Sequence, residues 1–437
     1  MNKTQNARAL ALDLLIKAEK SKQYSNIALD KALEKCELSP ADRRLASALF
    51  YGVIERRLTL DHRLTELSSR PLSEIDEHTS AVLRLGLYQL MFMDKIPHHA
   101  AINESVSLCP RRTSGFVNAI LRSHLRTAET SLPSKETKPT EHLSIKFSVG
   151  EPIVKKLVEI YGFDTTNEML SAFCQTPPTT LRVNTLKISR EELASHIEGA
   201  SPTKFSPNGL RVKGAVRELF GFCDGLFTVQ DEASQVCVEA LDARVGMKVM
   251  DICACPGSKS FGAAINMKNE GEILSFDLHE RKLSLILSGA ERLGIDIIKV
   301  AEQDGRKPLS EHFGTADRVI CDVPCSGFGV LAKKPELRYK DPADSAALPD
   351  IQLDILKNAC QYVKDGGILL YSTCTVFPEE NFQNVERFLK IHPEFELTPF
   401  SVGDLNANEG YITLLPHEHG TDGFFIAKLT KRTKNAN

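Results

Sequence analysis

The sequence lacks any hydrophobic run of the roughly 20 residues that a transmembrane helix needs. Its N-terminal stretch is interrupted by Asp13, Lys17 and Glu19, which does not fit a secretory signal. We therefore expect a cytoplasmic protein with no membrane partner. The 11 cysteines are scattered over 437 residues, a distribution that favours free thiols over a disulfide framework. Paired CxxC spacings are also missing, so we predict no metal site.

The overall charge is unevenly distributed along the chain. The net charge is −3, but residues 1–142 carry 21 Lys and Arg against 17 Asp and Glu, a balance of +4 that leaves −7 for the rest. Eight arginines of this first part stand in pairs or close together: Arg43, Arg44, Arg56, Arg57, Arg111, Arg112, Arg122 and Arg126. They predict either a phosphate-binding face or ordinary solvated helix faces, and the sequence leaves both open.

Three segments with different patterns follow one another, as expected for a chain too long for one hydrophobic core. Residues 1–130 place apolar side chains at four-residue spacing without strand signals, which predicts an all-α domain. The polar stretch 130–142 is typical of an exposed connection. Residues 143–235 read as a small α+β module. Residues 236–433 alternate apolar runs with helices, which predicts parallel βαβ units and a Rossmann-like α/β domain.

A loop with the composition of a ligand site follows the first predicted strand of this domain. Its residues are Ala254, Cys255, Pro256, Gly257, Ser258, Lys259 and Ser260. Neither GxGxxG nor GxxxxGK[ST] is present, so the loop does not favour NAD or ATP. A nucleoside without a pyrophosphate, such as S-adenosylmethionine, fits better. Asp277, about 20 residues further on, is placed to accept hydrogen bonds from ribose hydroxyls, although an acid at a strand end also caps helices.

Two cysteines follow two later strands that we expect to be neighbours. Cys325 lies in DVPCSG and Cys374 in STCT, each among small or polar residues. Carboxyl ends of parallel strands meet at one edge of a sheet, so both thiols are predicted to face one pocket. Other cysteines lie within apolar runs and are expected to serve packing only: Cys237, Cys321 and Cys360.

Paired thiols suit methylation of cytosine at C5. That carbon is a poor nucleophile until a thiolate adds to C6 and makes C5 enamine-like. The ring then needs a proton or a strong hydrogen bond at N3, which Asp322 is placed to supply. A second thiol can assist the later elimination. The spacing does not decide whether Cys325 or Cys374 attacks.

The motifs together resemble a known family. DICACPGSKS, FDLHERKL, CDVPCSGFG, YSTCT and HGTDGFF resemble, in order and spacing, the motifs of the NOL/NOP/Sun RNA cytosine-5 methyltransferases. Residues 1–126 resemble the RNA-binding NusB fold, and residues 145–235 look like the intermediate module of this family. The three-part layout is similar to that of bacterial members that act on 16S ribosomal RNA of the small subunit.

The resemblance implies roles for individual residues. Cys374 would attack C6 and Cys325 would assist release, at a cytosine of the position-967 type. The cofactor would be S-adenosylmethionine, and its implied contacts are the loop Ala254 to Ser260, Asp277 at the ribose, Asp304 at the adenine side, and Asp322 at both cofactor and cytosine. We expect a monomer.

Two positions depart from the family pattern, and other functions stay open. Cys255 and Ser258 replace the small residue before PG and the second glycine of the cofactor loop. A positive φ at Ser258 would cost on the order of 1 kcal/mol. The alternative functions are a non-catalytic RNA-binding or ribosome assembly factor, cytosine-5 methylation of a different RNA, and methylation of a ring nitrogen, an exocyclic amine or a protein side chain.

Overall fold

The computed structural model describes residues 6–20, 25–128 and 130–433. Residues 1–5, 21–24 and 129, which belong to the predicted first domain, lie outside the described part, as do residues 434–437. The chain divides into two compact units. Unit 1 comprises Met1–Cys174 with Lys333–Pro342, and unit 2 comprises Gln175–Ala332 with Ala343–Asn437.

The described residues of unit 1 form helices and connecting loops, without a strand. Its α-helices are α1 (Ala7–Lys20), α2 (Ser25–Glu34), α3 (Pro40–Glu55), α4 (Arg57–Leu67), α5 (Glu77–Phe92), α6 (His98–Ser107), α7 (Arg111–His124), α8 (Pro139–Phe147), α9 (Glu151–Tyr161) and α10 (Phe163–Phe173). At the start of α3, Ser39 Oγ accepts a hydrogen bond from the Asp42 N–H, at 3.1 Å, and Pro40 takes the first helical position. Leu14, Leu49 and Val53 are buried, so the helical spacing seen in the sequence marks the core.

The compact unit continues beyond the polar stretch at 130–142. Helix α8 is tied to α4 because the Leu58 N–H donates to Ser148 Oγ, at 2.9 Å, and Thr59 Oγ1 donates to the Ile145 carbonyl, at 2.6 Å. The N-terminal segment of unit 1 therefore extends to Cys174. The sequence predicted three domains, and the packing groups the chain into two compact units. The bounds of the three domains stay a prediction.

One of the arginine pairs is used for packing inside unit 1. The Arg57 guanidinium lies 3.9 Å from the centre of the Tyr339 ring, and Arg56 lies 5.1 Å from that of Phe92. Arg43, Arg44, Arg111, Arg112, Arg122 and Arg126 are exposed. Arg56 and Arg57 are half-buried and pack on rings, whereas the other six are exposed, so the choice between a phosphate-binding face and solvated helix faces stays open.

Unit 2 contains two larger sheets and a short hairpin. Its elements are β1 (Thr179–Val183), α11 (Arg190–His196), β2 (Ser201–Pro202), β3 (Gly209–Val212), β4 (Phe227–Val229), α12 (Glu232–Leu241), β5 (Lys248–Asp251), α13 (Ser258–Asn266), β6 (Glu272–Asp277), α14 (Glu280–Leu293), β7 (Ile298–Glu302), β8 (Ala316–Asp322), α15 (Leu348–Ala359), β9 (Val363–Thr373), α16 (Phe382–Ile391), β10 (Phe395–Leu397), β11 (Phe400–Val402), β12 (Leu405–Ala407), β13 (Tyr411–Leu414), α17 (Pro416–His419) and β14 (Phe424–Lys431). The first sheet is antiparallel, in the order β2-β3-β1-β4.

The larger sheet runs in the order β10-β14-β9-β8-β5-β6-β7, with β13 also paired to β14. Strands β5 to β9 are parallel, and β14 runs antiparallel to β9. Near the C-terminus, β10 (Phe395–Leu397) pairs antiparallel with β14, whereas Phe400 lies in the separate hairpin of β11 and β12. Strand order reverses between β5 and β8, where open α/β sheets bind their ligands.

The parallel strands are covered on both faces. Val249, Met250, Val319 and Leu369 are all fully buried, which explains why these strands read as continuous apolar runs. None of the helices in the described ranges combines the length and the apolar character that crossing a membrane requires.

Candidate active site

The loop after β5 turns sharply at Gly257. Its φ is +105°, and a Cβ added there would lie 2.5 Å from the Phe261 ring, so only glycine fits. Ser258 is the first residue of α13 and is absent from the described positions with positive φ. The strain considered for Ser258 in the sequence therefore does not arise, because the positive φ falls on Gly257, which adopts it freely.

Asp277 lies against this loop, at the end of β6. Its Oδ2 accepts a hydrogen bond from the Cys255 N–H, at 3.3 Å, and its Oδ1 accepts one from the His279 N–H, at 3.0 Å. The neighbouring Leu278 is 52% exposed. This corner thus combines the Asp277 carboxylate with the exposed side chain of Leu278. The sequence had pointed to Asp277 but not to Leu278.

Asp304 is held by a nearby cation. Its two carboxylate oxygens accept hydrogen bonds from Arg306 Nε, at 2.9 Å, and from Arg306 Nη2, at 2.8 Å. These bonds lower the pKa of Asp304 to about 2. The carboxylate predicted for the adenine side is therefore already paired.

Asp251, at the end of β5, is a buried acid that the sequence did not mark as functional. Ser260 Oγ donates a hydrogen bond to its Oδ2, at 2.7 Å, and lies 2.9 Å from Ser275 Oγ. Asp251 Oδ1 is buried without a hydrogen-bond partner among the described residues. Burial raises the pKa of Asp251 to about 7, because a charge there is poorly solvated.

Asp251→Asn should therefore change how stability depends on pH. An aspartate in an unfolded chain ionises near pH 3.9, so the native carboxyl with its pKa of about 7 stays protonated over a wider range. The stability that this adds is present below about pH 4 and is lost as pH rises through about 7.

We expect the wild type to lose about 2–3 kcal/mol of unfolding free energy relative to Asp251→Asn between about pH 5 and pH 8. Urea denaturation of both proteins at the two pH values, followed on the transition of unit 2, measures this difference. A difference that is the same at both pH values would contradict the assigned protonation.

Lys259 and Asp322 form an ion pair at the reversal of strand order. Lys259 Nζ lies 2.6 Å from Asp322 Oδ2, and Ser372 Oγ donates to Asp322 Oδ1, at 2.8 Å. Burial alone would lower the pKa of Lys259, but the Asp322 carboxylate raises it above its usual value. The sequence predicted each residue as a ligand contact, but not that they pair.

The two predicted thiols lie together at the carboxyl ends of β8 and β9, which pair in parallel. Cys325 Sγ is 2.8 Å from Cys374 Sγ, and the Cys374 N–H donates to Cys325 Sγ, at 3.2 Å. The hydrogen bond with the Cys374 sulfur, together with burial, raises the pKa of Cys325 well above its usual range. The two sulfurs thus meet, as their places after neighbouring strands predicted, and the pocket that they would face stays a prediction.

The remaining cysteines predicted for packing are buried, as expected. Cys237 and Cys321 are 0% exposed and Cys360 is 2% exposed, and burial raises the pKa of all three thiols. Within the ranges that the structure describes, His, Cys, Asp and Glu side chains form no group of three or more that could hold a metal ion.

The sheet order, the glycine turn after β5 and the acid after β6 are those of a class I methyltransferase domain. Residues 238–430 match the family described as 16S rRNA methyltransferase RsmB/F. Residues 5–126 match the NusB family, and residues 152–217 match the RsmF/B-like ferredoxin-like domain. The chain belongs to the RsmB/F family of methyltransferases.

Relatives extend over the whole chain. The chain is 37% identical to the probable ribosomal RNA small subunit methyltransferase B of Bacillus subtilis, over 99% of this chain and 100% of the relative. It is 36% identical to the protein of the same name from Synechocystis, over 98% and 99%. The crystal structure of PH0851 is similar with a TM-score of 0.79 and 28% identity, over 98% of this chain and 99% of that one.

Proposed function

We propose that this chain transfers a methyl group from S-adenosylmethionine to C5 of a cytosine in 16S ribosomal RNA, through a covalent bond between Cys374 and C6. The observation that carries the proposal is the pair of sulfurs 2.8 Å apart beside the Lys259–Asp322 ion pair. A ring nitrogen or an amine can accept a methyl group without any thiol. The names of the relatives support small-subunit RNA as substrate, and the resemblance supports a position of the 967 type.

The cofactor loop has the features that S-adenosylmethionine needs. Gly257 keeps the backbone open to a ligand, Asp277 offers a buried carboxylate for ribose hydroxyls, and the exposed Leu278 offers an apolar surface for a flat ring. We assign the loop Ala254–Ser260 and Asp277 to cofactor binding, and Asp304 to the adenine side through its pair with Arg306. When bound, S-adenosylmethionine supplies an electrophilic methyl group.

The family resemblance supports Cys374 as the nucleophile, and the contact between the two thiols fits that role. Each sulfur can donate a hydrogen bond to the other across 2.8 Å, so a proton on Cys325 would point at the Cys374 sulfur. A thiolate is stabilised by such a donor. The contact suits attack by Cys374 with Cys325 as its partner, and the choice of Cys374 as the attacking sulfur rests on the family resemblance.

Asp322 is assigned to the cytosine ring. Adding a thiolate to C6 places negative charge on the ring, which a proton or a strong hydrogen bond at N3 stabilises. Asp322 accepts hydrogen bonds from Lys259 on one oxygen and from Ser372 on the other, so the carboxyl group is held in one orientation. Lys259 keeps its proton, since the Asp322 carboxylate raises its pKa, and its part is to hold Asp322 in place.

Release of the product is assigned to Cys325. After methyl transfer the C5 proton must leave and the bond from sulfur to C6 must break. Once Cys374 is bound to C6, its sulfur no longer carries the charge that contributes to the raised pKa of Cys325. Cys325 then loses its proton to solvent, and its thiolate takes the C5 proton. The bond from the Cys374 sulfur to C6 breaks as the double bond between C5 and C6 forms again, which leaves Cys374 as a thiolate.

We assign RNA affinity to the exposed arginines of unit 1. Arg43, Arg44, Arg111, Arg112, Arg122 and Arg126 can contact phosphates. The target cytosine must be unpaired or flipped out, since its C6 is otherwise covered by the base stack. We further propose that the protein acts as a cytoplasmic monomer.

Bisulfite sequencing of ribosomal RNA from cells with and without this gene tests the proposal. We expect one 5-methylcytosine of 16S RNA to disappear, and to return when the wild-type gene is restored but not when a Cys374→Ala gene is restored. An unchanged set of 5-methylcytosines would overturn the proposed function. Calorimetry with S-adenosylmethionine separates the remaining alternative, because a non-catalytic assembly factor need not bind it.

A further inference from the structure

Two consecutive buried residues follow the second thiol in the sequence FPEEN. Glu380 and Asn381 are each 2% exposed, and they stand six and seven positions after Cys374. A carboxylate and an amide are costly to bury unless their hydrogen bonds are made. The partners that they find are the backbone and side chains on either side of the two thiols.

Glu380 holds the loop that carries Cys325. Its Oε2 accepts hydrogen bonds from the Ser326 N–H, at 2.9 Å, and from Gln352 Nε2, at 2.8 Å. Gln352 Nε2 also donates to the Pro324 carbonyl, at 3.0 Å. The residues directly before and after Cys325 are therefore both tied, directly or through Gln352, to one buried carboxylate.

Asn381 holds the segment that carries Cys374 in the same manner. Thr373 Oγ1 donates to Asn381 Oδ1, at 2.6 Å, and Asn381 Nδ2 donates to the Thr375 carbonyl, at 3.0 Å. Thr373 and Thr375 are fully buried. The side chain thus contacts both neighbours of Cys374 and fixes the backbone between them.

A direct bond joins the two segments. Ser326 Oγ donates to Thr375 Oγ1, at 2.9 Å, and Ser326 is 2% exposed. Glu380, Asn381, Ser326 and Thr375 therefore form one buried network, which we call the thiol clamp, around the two sulfurs.

We propose that Glu380 and Asn381 are positioning residues that set the distance between the Cys325 and Cys374 sulfurs. This inference rests on the proposed function in giving both thiols a part in the reaction. Glu380 and Asn381 are adjacent in the chain. A shift of the loop that carries Cys325 would therefore also move Asn381, which holds the segment that carries Cys374. A misplacement of about 1 Å in a reacting group can cost on the order of a hundredfold in rate, so the clamp should affect turnover more than cofactor affinity.

The rate at which the two thiols join under a mild oxidant tests the clamp without RNA. Diamide accepts two electrons and two protons as the Cys325 and Cys374 thiols form one disulfide. Mass spectrometry of the peptide that contains this disulfide measures its amount separately from disulfides of the other cysteines. We expect Asn381→Ala to slow its formation at least about tenfold. Glu380→Gln, which keeps an oxygen for Ser326 and Gln352, should react at least as fast as the wild type.

Asn184→Ala is the matched control. Asn184 is 0% exposed and donates to the carbonyls of Gly225 and Leu293, so its loss also breaks two buried bonds but far along the chain from the thiols. It should form the disulfide at a rate within about twofold of the wild type. Equal slowing in both variants, or wild-type speed in Asn381→Ala, would overturn the clamp.

Thr373→Val keeps the test decisive if Asn381→Ala does not fold. Valine has the shape of threonine but cannot donate to Asn381 Oδ1. We expect slower disulfide formation and a lower kcat with an unchanged KM for S-adenosylmethionine. If the proposed function fails but disulfide formation is slower in the clamp variants Asn381→Ala and Thr373→Val than in the wild type, the clamp stands as a structural assignment. If Thr373→Val forms the disulfide and turns over at wild-type rates while Cys374→Ala is inactive, the clamp is overturned and the proposed function is not.

Discussion

Cys374→Ala should lose at least about a thousandfold in the rate of 5-methylcytosine formation, because no covalent bond to C6 can form without the attacking sulfur. Alanine keeps the backbone N–H that donates to Cys325 Sγ, so the fold should be preserved. The measurement is transfer of labelled methyl groups from S-adenosylmethionine to 16S RNA, followed by nucleoside analysis.

Cys223→Ala is the control for this substitution. Cys223 is an exposed free cysteine that the proposal gives no role, so its variant should methylate at the wild-type rate. A Cys374→Ala enzyme that methylates RNA as fast as Cys223→Ala would show that another group attacks C6.

Cys325→Ala should have the opposite signature, with RNA trapped on the protein. Attack by Cys374 is still available in this variant, but the group that accepts the C5 proton is missing. We expect turnover to fall at least about a hundredfold while a complex that survives denaturing electrophoresis accumulates toward one RNA per protein.

The double variant Cys325→Ala with Cys374→Ala distinguishes this trapped complex from other crosslinks. It should form no stable complex, because the bond runs through Cys374. A complex of equal yield in the double variant, or normal turnover in Cys325→Ala, would refute the role of Cys325 in release.

The fold of unit 2 followed from local patterns in the sequence. The apolar runs at β5 and β8 predicted parallel strands because Val249 and Val319 sit in continuous apolar stretches, and both are fully buried. The placement of Cys325 and Cys374 also followed, since residues after neighbouring parallel strands meet at one edge. Each of these inferences needed only the order of elements along the chain.

Features of the site that depend on contacts between distant segments did not follow. The Lys259–Asp322 pair joins residues 63 positions apart, and a sequence pattern does not show which acid meets which base. Asp251 read as the end of a strand, and only its burial makes it unusual. The sequence did not point to Glu380, because FPEEN is also typical of an exposed turn. In the structure the second Glu of this run, Glu380, is buried. The signal in the sequence that could have pointed to this network was the run Glu379, Glu380 and Asn381, shortly after the YSTCT motif.

Reaction with small-subunit RNA that contains 5-fluorocytidine tests the central claim most directly. Fluorine replaces the C5 proton and cannot be eliminated, so the covalent intermediate should persist and be recoverable as a nucleotide-bearing peptide. We predict that mass spectrometry finds the modification on Cys374, in a reaction that requires S-adenosylmethionine. A modification on Cys325, or no covalent complex with an RNA that the enzyme otherwise methylates, would contradict the mechanism.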